Sequence, residues 1–189
     1  MIKWLCCGGP LLFLLAGCSQ NDAPARNYVS IPSLIEEQVA HVDTSLYAIT
    51  RYDYRGTDTI PFDTIYIPRE KFREEAQAFL SIPDLSQPKL AKAFTEESHY
   101  DELLKKVIIS YFPIDKENAT IQKEELHIRP DLAEGDKVTT ILVSKVINDR
   151  NGLQQEELLW LMDKSFSITR TQQRPGQPAE LITTKVSWN

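Results

Sequence analysis

From Val107 to Trp188 the chain reads as six strand-like segments joined by short connections: Val107–Ile114, Thr120–Arg129, Lys137–Ile147, Leu153–Met162, Phe166–Thr171 and Glu180–Trp188. They are rich in β-branched and aromatic residues and bounded by turn formers. Connections this short cannot carry the crossover that parallel strands need, so successive segments are expected to pair antiparallel. Glycine usage agrees. Beyond residue 17 the only glycines stand at 56, 135, 152 and 176, each between two strand-like segments, where a turn often calls for positive φ. Asn151-Gly152 is the most explicit hairpin signal. Leu158-Leu159-Trp160-Leu161-Met162 is apolar on both faces. That suits a central strand covered by helices on one side and by something else on the other.

The preceding part mixes periods. Ile31, Leu34, Ile35, Val39 and Val42 form one helical stripe, with Pro32 early and Glu36, Glu37 and Gln38 outside it. Thr44–Tyr54 and Thr59–Ile67 read as two strands flanking Arg55-Gly56-Thr57. Pro68 opens a second helix in which Phe72, Ala76, Phe79 and Leu80 share a face, and Ser81-Ile82-Pro83 stops it. Ser86 is expected to cap a short helix carrying Leu90 and Phe94, and a further helical piece is expected through Tyr100–Leu104. The fold class these elements predict is α+β: N-terminal helices packed on a curved antiparallel β-sheet of six to eight strands, the C-terminal part a β-meander, with residues 31–189 forming a single domain.

Residues 1–17 have the plan of a signal peptide, with Lys3 followed by a mostly apolar stretch from Trp4 to Ala16 that is too short to span a bilayer. They end in Leu15-Ala16-Gly17-Cys18, which resembles the bacterial lipobox. That resemblance implies cleavage after Gly17, a diacylglycerol on the Cys18 thiol and acylation of the new amino terminus. Residues 18–30 are small and polar and read as a lipidated flexible tether. The cysteines are Cys6, Cys7 and Cys18, so the domain has neither a disulfide nor a thiol for chemistry and must be held by its core. Without Lys3 the chain sets 20 Lys and Arg against 27 Asp and Glu. A uniformly acidic chain of pI about 5.2 excludes the concentrated basic face of a nucleic-acid binder.

Candidate chemistry is sparse. Glu96-Glu97-Ser98-His99 contains Glu-x-x-His, which serves di-iron bundles only when a second copy and further glutamates are present, and none occurs, so it reads as a solvated helix face. His41 and His127 have no ligand-like spacing to it. Ser86-Gln87-Pro88-Lys89 matches Ser-x-x-Lys but lacks the partner motifs of penicillin-binding enzymes. Paired carboxylates such as Asp58/Asp63 or Glu156/Glu157 are too common on an acidic surface to nominate a glycosidase. No catalytic residue, cofactor or metal site is expected. Asn118-Ala119-Thr120 fits the N-glycan sequon but reads as a turn. Asp58-Thr59-Ile60 and Asp63-Thr64-Ile65 resemble the O-glycosylation acceptor of periplasmic proteins of the Bacteroidota, which implies Thr59 and Thr64 as acceptors.

Taken whole, the order of lipobox, tether, Ile31–Val42 helix, strand pair, Phe72–Leu80 helix and meander resembles small lipoproteins of the Bacteroidota. It is more distantly similar to outer-membrane lipoprotein carrier proteins, whose curved antiparallel sheet and covering helices hold an acyl chain. Two expectations follow. The first is a lipid-anchored, non-catalytic binding or assembly module of the cell envelope. It would sit at the outer membrane, on the periplasmic face, with the membrane as partner through Cys18 and an envelope protein as a second partner. The second is a carrier of an apolar ligand or lipid. A filled interior between helices and sheet favours the first, and an apolar cavity there favours the second.

Overall fold

The computed structural model describes residues 28–133, 135–150 and 152–188. The segment expected to be a signal peptide, Cys18 and most of the expected tether lie outside them. Tyr28, the first described residue, has its ring 4.6 Å from that of Tyr111 and donates its hydroxyl to the Phe94 carbonyl at 3.0 Å. Helix α1 (Ile31–Thr44) then follows the predicted stripe, burying Ile31, Ile35, Val39 and Val42. Ser30 caps it, its Oγ accepting from the Ser33 amide at 3.3 Å, and Pro32 sits in the first turn where no amide is needed.

Strands β1 (Ile49–Arg55) and β2 (Asp63–Tyr66) form the first hairpin. A 3-10 turn at Arg69–Lys71 leads into two single-turn helices, α2 (Phe72–Glu75) and α3 (Gln77–Leu80), which bury Phe72, Ala76 and Phe79 on one side. Helix α4 (Pro88–Ala91) is a single turn. Seven strands follow in a meander: β3 (Phe94–Asp101), β4 (Lys106–Pro113), β5 (Ile121–Arg129), β6 (Lys137–Asp149), β7 (Gly152–Leu161), β8 (Ser165–Gln173) and β9 (Glu180–Trp188). All pairs are antiparallel. The nine strands make one open sheet in the order β2-β1-β9-β8-β7-β6-β5-β4-β3, so the first hairpin joins the far edge of the meander through β1 and β9. The α+β architecture with antiparallel pairing is as expected.

Two local expectations are corrected. Phe94–Asp101 is a strand, with Glu96 opposite Tyr111 and His99 opposite Ile108, so no helix runs through Tyr100–Leu104 and the sheet has nine strands rather than six to eight. Ser86 is not a cap: Gln87 occupies that position without a side-chain bond, and Ser86 Oγ donates to Asp84 Oδ1 at 2.7 Å. The hairpin expected at Asn151-Gly152 joins β6 to β7, with Gly152 at positive φ opposite Asp149 as the first residue of β7.

The helices cover one face of the sheet, the inner face. Phe72 and Phe79 enter an aromatic cluster on it: Phe72 lies 5.1 Å from Trp188, Phe79 lies 5.0 Å from Trp160 and 5.3 Å from Phe166, and Trp160 stacks on Phe166 at 4.9 Å. Such pairs add about 0.5–1.5 kcal/mol each beyond area burial. Among the described residues no helix is long and apolar enough to cross a membrane.

Candidate functional site: an ion-paired cleft on the inner face

The register of the sheet sorts its inner face into rows. One row reads Leu126, Ile141, Trp160, Phe166, Val186 and Arg51 from β5 to β1. The next reads Glu124, Val143, Leu158, Ile168, Thr184 and Asp53. The third contains Lys145, Glu156, Arg170 and Ile182. The face thus passes from apolar under the helices to charged beyond them. Where α2 and α3 stop covering it, an open cleft of about 560 Å³ remains, with Glu74, Glu75, Gln77 and Ala78 as one wall and the sheet as the other.

Two buried carboxylates organise the floor; the side chains of Asp53 and Glu156 are 7% and 8% exposed. Asp53 accepts from Arg51 Nε at 3.0 Å and from the Thr184 hydroxyl at 2.6 Å. Glu156 accepts from Arg170 Nε at 2.7 Å, from Gln154 at 3.0 Å and pairs with Lys145 Nζ at 3.1 Å. Burial alone would raise the Glu156 carboxyl, but Arg170 and Lys145 outweigh it and hold it below the usual range. For Arg51 burial opposes the charge, and Asp53 and Glu75 more than restore it. Removing one member of such a set strands its partner without compensation, so the network fixes side-chain positions.

Sequence reasoning missed this cleft, setting Glu156 aside as ordinary surface. The available signal was parity: Glu156 shares its strand face with Leu158 and Trp160, and Arg51 and Asp53 share theirs with Ile49, so charges stand where the pattern calls for core. Glu124, in phase with Leu126, is the most buried of these at 1% exposed. Its Oε1 has no partner among the described residues, and burial, helped by the Asp84 charge, pushes its pKa up to about 8.

The residues singled out from sequence lie elsewhere. Glu96 and His99 fall on opposite faces of β3, so the Glu-x-x-His spacing gathers nothing. Among the described residues no three His, Cys, Asp or Glu side chains group at metal-holding distance. On the outer face, Glu125 accepts from Ser110 Oγ at 3.2 Å and contacts His127 Nε2 at 2.7 Å. The carboxylate lies between hydroxyl and imidazole, so the Ser110 hydroxyl bonds Glu125 and not the His127 ring. Thr59 and Thr64 are both exposed on the β1–β2 hairpin, Thr64 beside the unpaired edge. A second open cleft is lined by Tyr47, Tyr52, Lys164 and Lys185, but its lysines are exposed and enter no ion pair among the described residues. No family model, curated protein or solved structure matches the chain.

Proposed function

We propose that this chain is a lipid-anchored, non-catalytic binding module of the bacterial cell envelope, held at the membrane through Cys18 and presenting the inner-face cleft to a partner. The observation that carries the reading is the division of the inner face. Beneath the helices, the place where a carrier would need an apolar cavity, Phe72, Phe79, Trp160, Phe166 and Trp188 pack against one another. Beyond the helices a polar surface is held rigid by buried ion pairs. Rigid, open and polar suits recognition, because little ordering cost remains to be met on binding. Its titratable groups are matched acid to base, which stabilises charge rather than poising a proton for transfer.

The test places a photo-crosslinking residue at Gln172, beside the cleft, or at Glu157, exposed on the outer face, and irradiates intact membranes. A discrete adduct from Gln172 and none from Glu157 is expected. Adducts at neither position, or a non-covalent lipid retained stoichiometrically by the Cys18→Ala variant after detergent exchange, would overturn the reading, the latter in favour of the carrier. Peptide mass spectrometry of the β1–β2 hairpin tests Thr59 and Thr64, which we propose as glycan acceptors.

A further inference from the structure

We propose that the inner-face cleft binds a carboxylate carried on a short, partly apolar body, taken up between the guanidinium groups of Arg51 and Arg170, and that Glu75 occupies part of this place in the free protein. The proposal rests on reading the cleft as the binding surface of the module.

The two arginines are held in the same manner from different strands. Arg51 on β1 donates Nε to Asp53, and Arg170 on β8 donates Nε to Glu156. Each acid is buried, so each guanidinium is fixed at its Nε while its terminal nitrogens stay available. Among the described residues neither Nη of Arg170 has a partner, although the group has five donors. The Nη groups of Arg51 meet a single oxygen, Glu75 Oε2, at 3.5 Å. A good charge-assisted bond measures about 2.7–2.9 Å. This is the longest contact in the network, and it comes from the helical wall rather than from the floor. A planar fork with unused donors is the group best matched to a carboxylate.

The balance of charge agrees. Lys145, Glu156 and Arg170 together carry one positive charge in excess, and Arg51 with Asp53 is neutral. In the wall Glu74 is paired with Lys71 and Glu75 meets Arg51, so a ligand carboxylate that displaces Glu75 takes over its charge pairing at Arg51. Ile147, Ile168 and Ala78 line the same cleft and give the body of the ligand an apolar surface. A volume of about 560 Å³ is in the range of small-molecule sites, roughly 300–1,000 Å³.

Calorimetric titration of the intact chain at neutral pH with N-acetyl-leucine and with its uncharged amide tests this. The acid is expected to bind and the amide to bind at least tenfold more weakly. Arg51→Gln and Arg170→Gln should each weaken the acid tenfold or more, whereas Glu75→Gln should tighten it several-fold by vacating Arg51. Arg170→Lys, which keeps the charge beside Glu156 and removes the fork, covers the case in which a glutamine variant does not fold, and should also lose most of the affinity. Equal binding of acid and amide, or a Glu75→Gln variant that binds no better than the parent, overturns the proposal. If no carboxylate binds while the Gln172 adduct forms in membranes, the ligand class is wrong and the module stands; if both fail, both readings fall.

Discussion

Glu124 is a carboxylic acid placed where the alternation of β5 calls for an apolar side chain, between Tyr111 and Val143 in the register. Water cannot reach it, so the neutral form prevails until about pH 8. Its folded pKa lies above its unfolded value. Its contribution is therefore most favourable in acid, falls as pH rises from about 4.5 to 8, and is constant beyond. Over that window the slope is about 1.4 kcal/mol per pH unit. Urea unfolding at a series of pH values should show Glu124→Gln gaining on the parent as pH rises and keeping that gain above pH 8; parallel profiles would contradict the assignment. Gly152 is a second residue whose role is steric. Its φ is +121°, and a Cβ there would lie 2.1 Å from the Gln173 carbonyl oxygen, whereas a Cβ on Gly176 meets nothing within 4 Å. Backbone strain and overlap together should make Gly152→Val cost about 3 kcal/mol or more. Gly176→Ala should cost no more than about 1–2 kcal/mol, and chemical denaturation of the two variants side by side checks the difference.

At the scale of elements, the helix stripes and the meander were legible because one face of each is buried and the other is not. Edge strand β3 was not: after Phe94 it is exposed along nearly its whole length, on both faces. Without a buried face there is no alternation to read, and Glu96, Glu97 and Ser98 carry little intrinsic preference for a strand. It is a strand because the main chain of β4 offers it a ladder. Side-chain substitutions there should matter little, and His99→Ala should shift stability by no more than about 0.5 kcal/mol. The α2–α3 segment is the opposite case. Each helix is a single turn with no side-chain cap bond, too short to persist alone, and is held by Phe72 and Phe79 against the tryptophans. Phe79→Ala should cost about 3–5 kcal/mol and, by releasing the wall that carries Glu75, should alter the cleft. Thermal unfolding with and without N-acetyl-leucine reports both effects.

For the whole molecule, attachment and recognition are separable. If Cys18 carries the lipid, Cys18→Ala should move the protein from the membrane to the soluble fraction, since stable anchoring needs two or more acyl chains, and should leave the unfolding midpoint of the domain unchanged; a variant still bound to membranes contradicts the lipobox reading. Tyr28 and Val29 are tied to Phe94 and Tyr111, which places the first described residues beside the Glu124 row, one row from the charged one. The sequence by itself determined the class of fold, the antiparallel order of the meander and the stripe of α1, because burial on one face writes a period into a segment and each period can be read locally. Only the tertiary structure decided that β1 closes onto β9 and that Arg51, Asp53, Lys145, Glu156 and Arg170 meet in one cleft. Those residues are separated by up to 119 positions along the chain and are brought together by strand register, which many local sequences satisfy equally well and which is fixed only when all nine strands and the aromatic core pack at once.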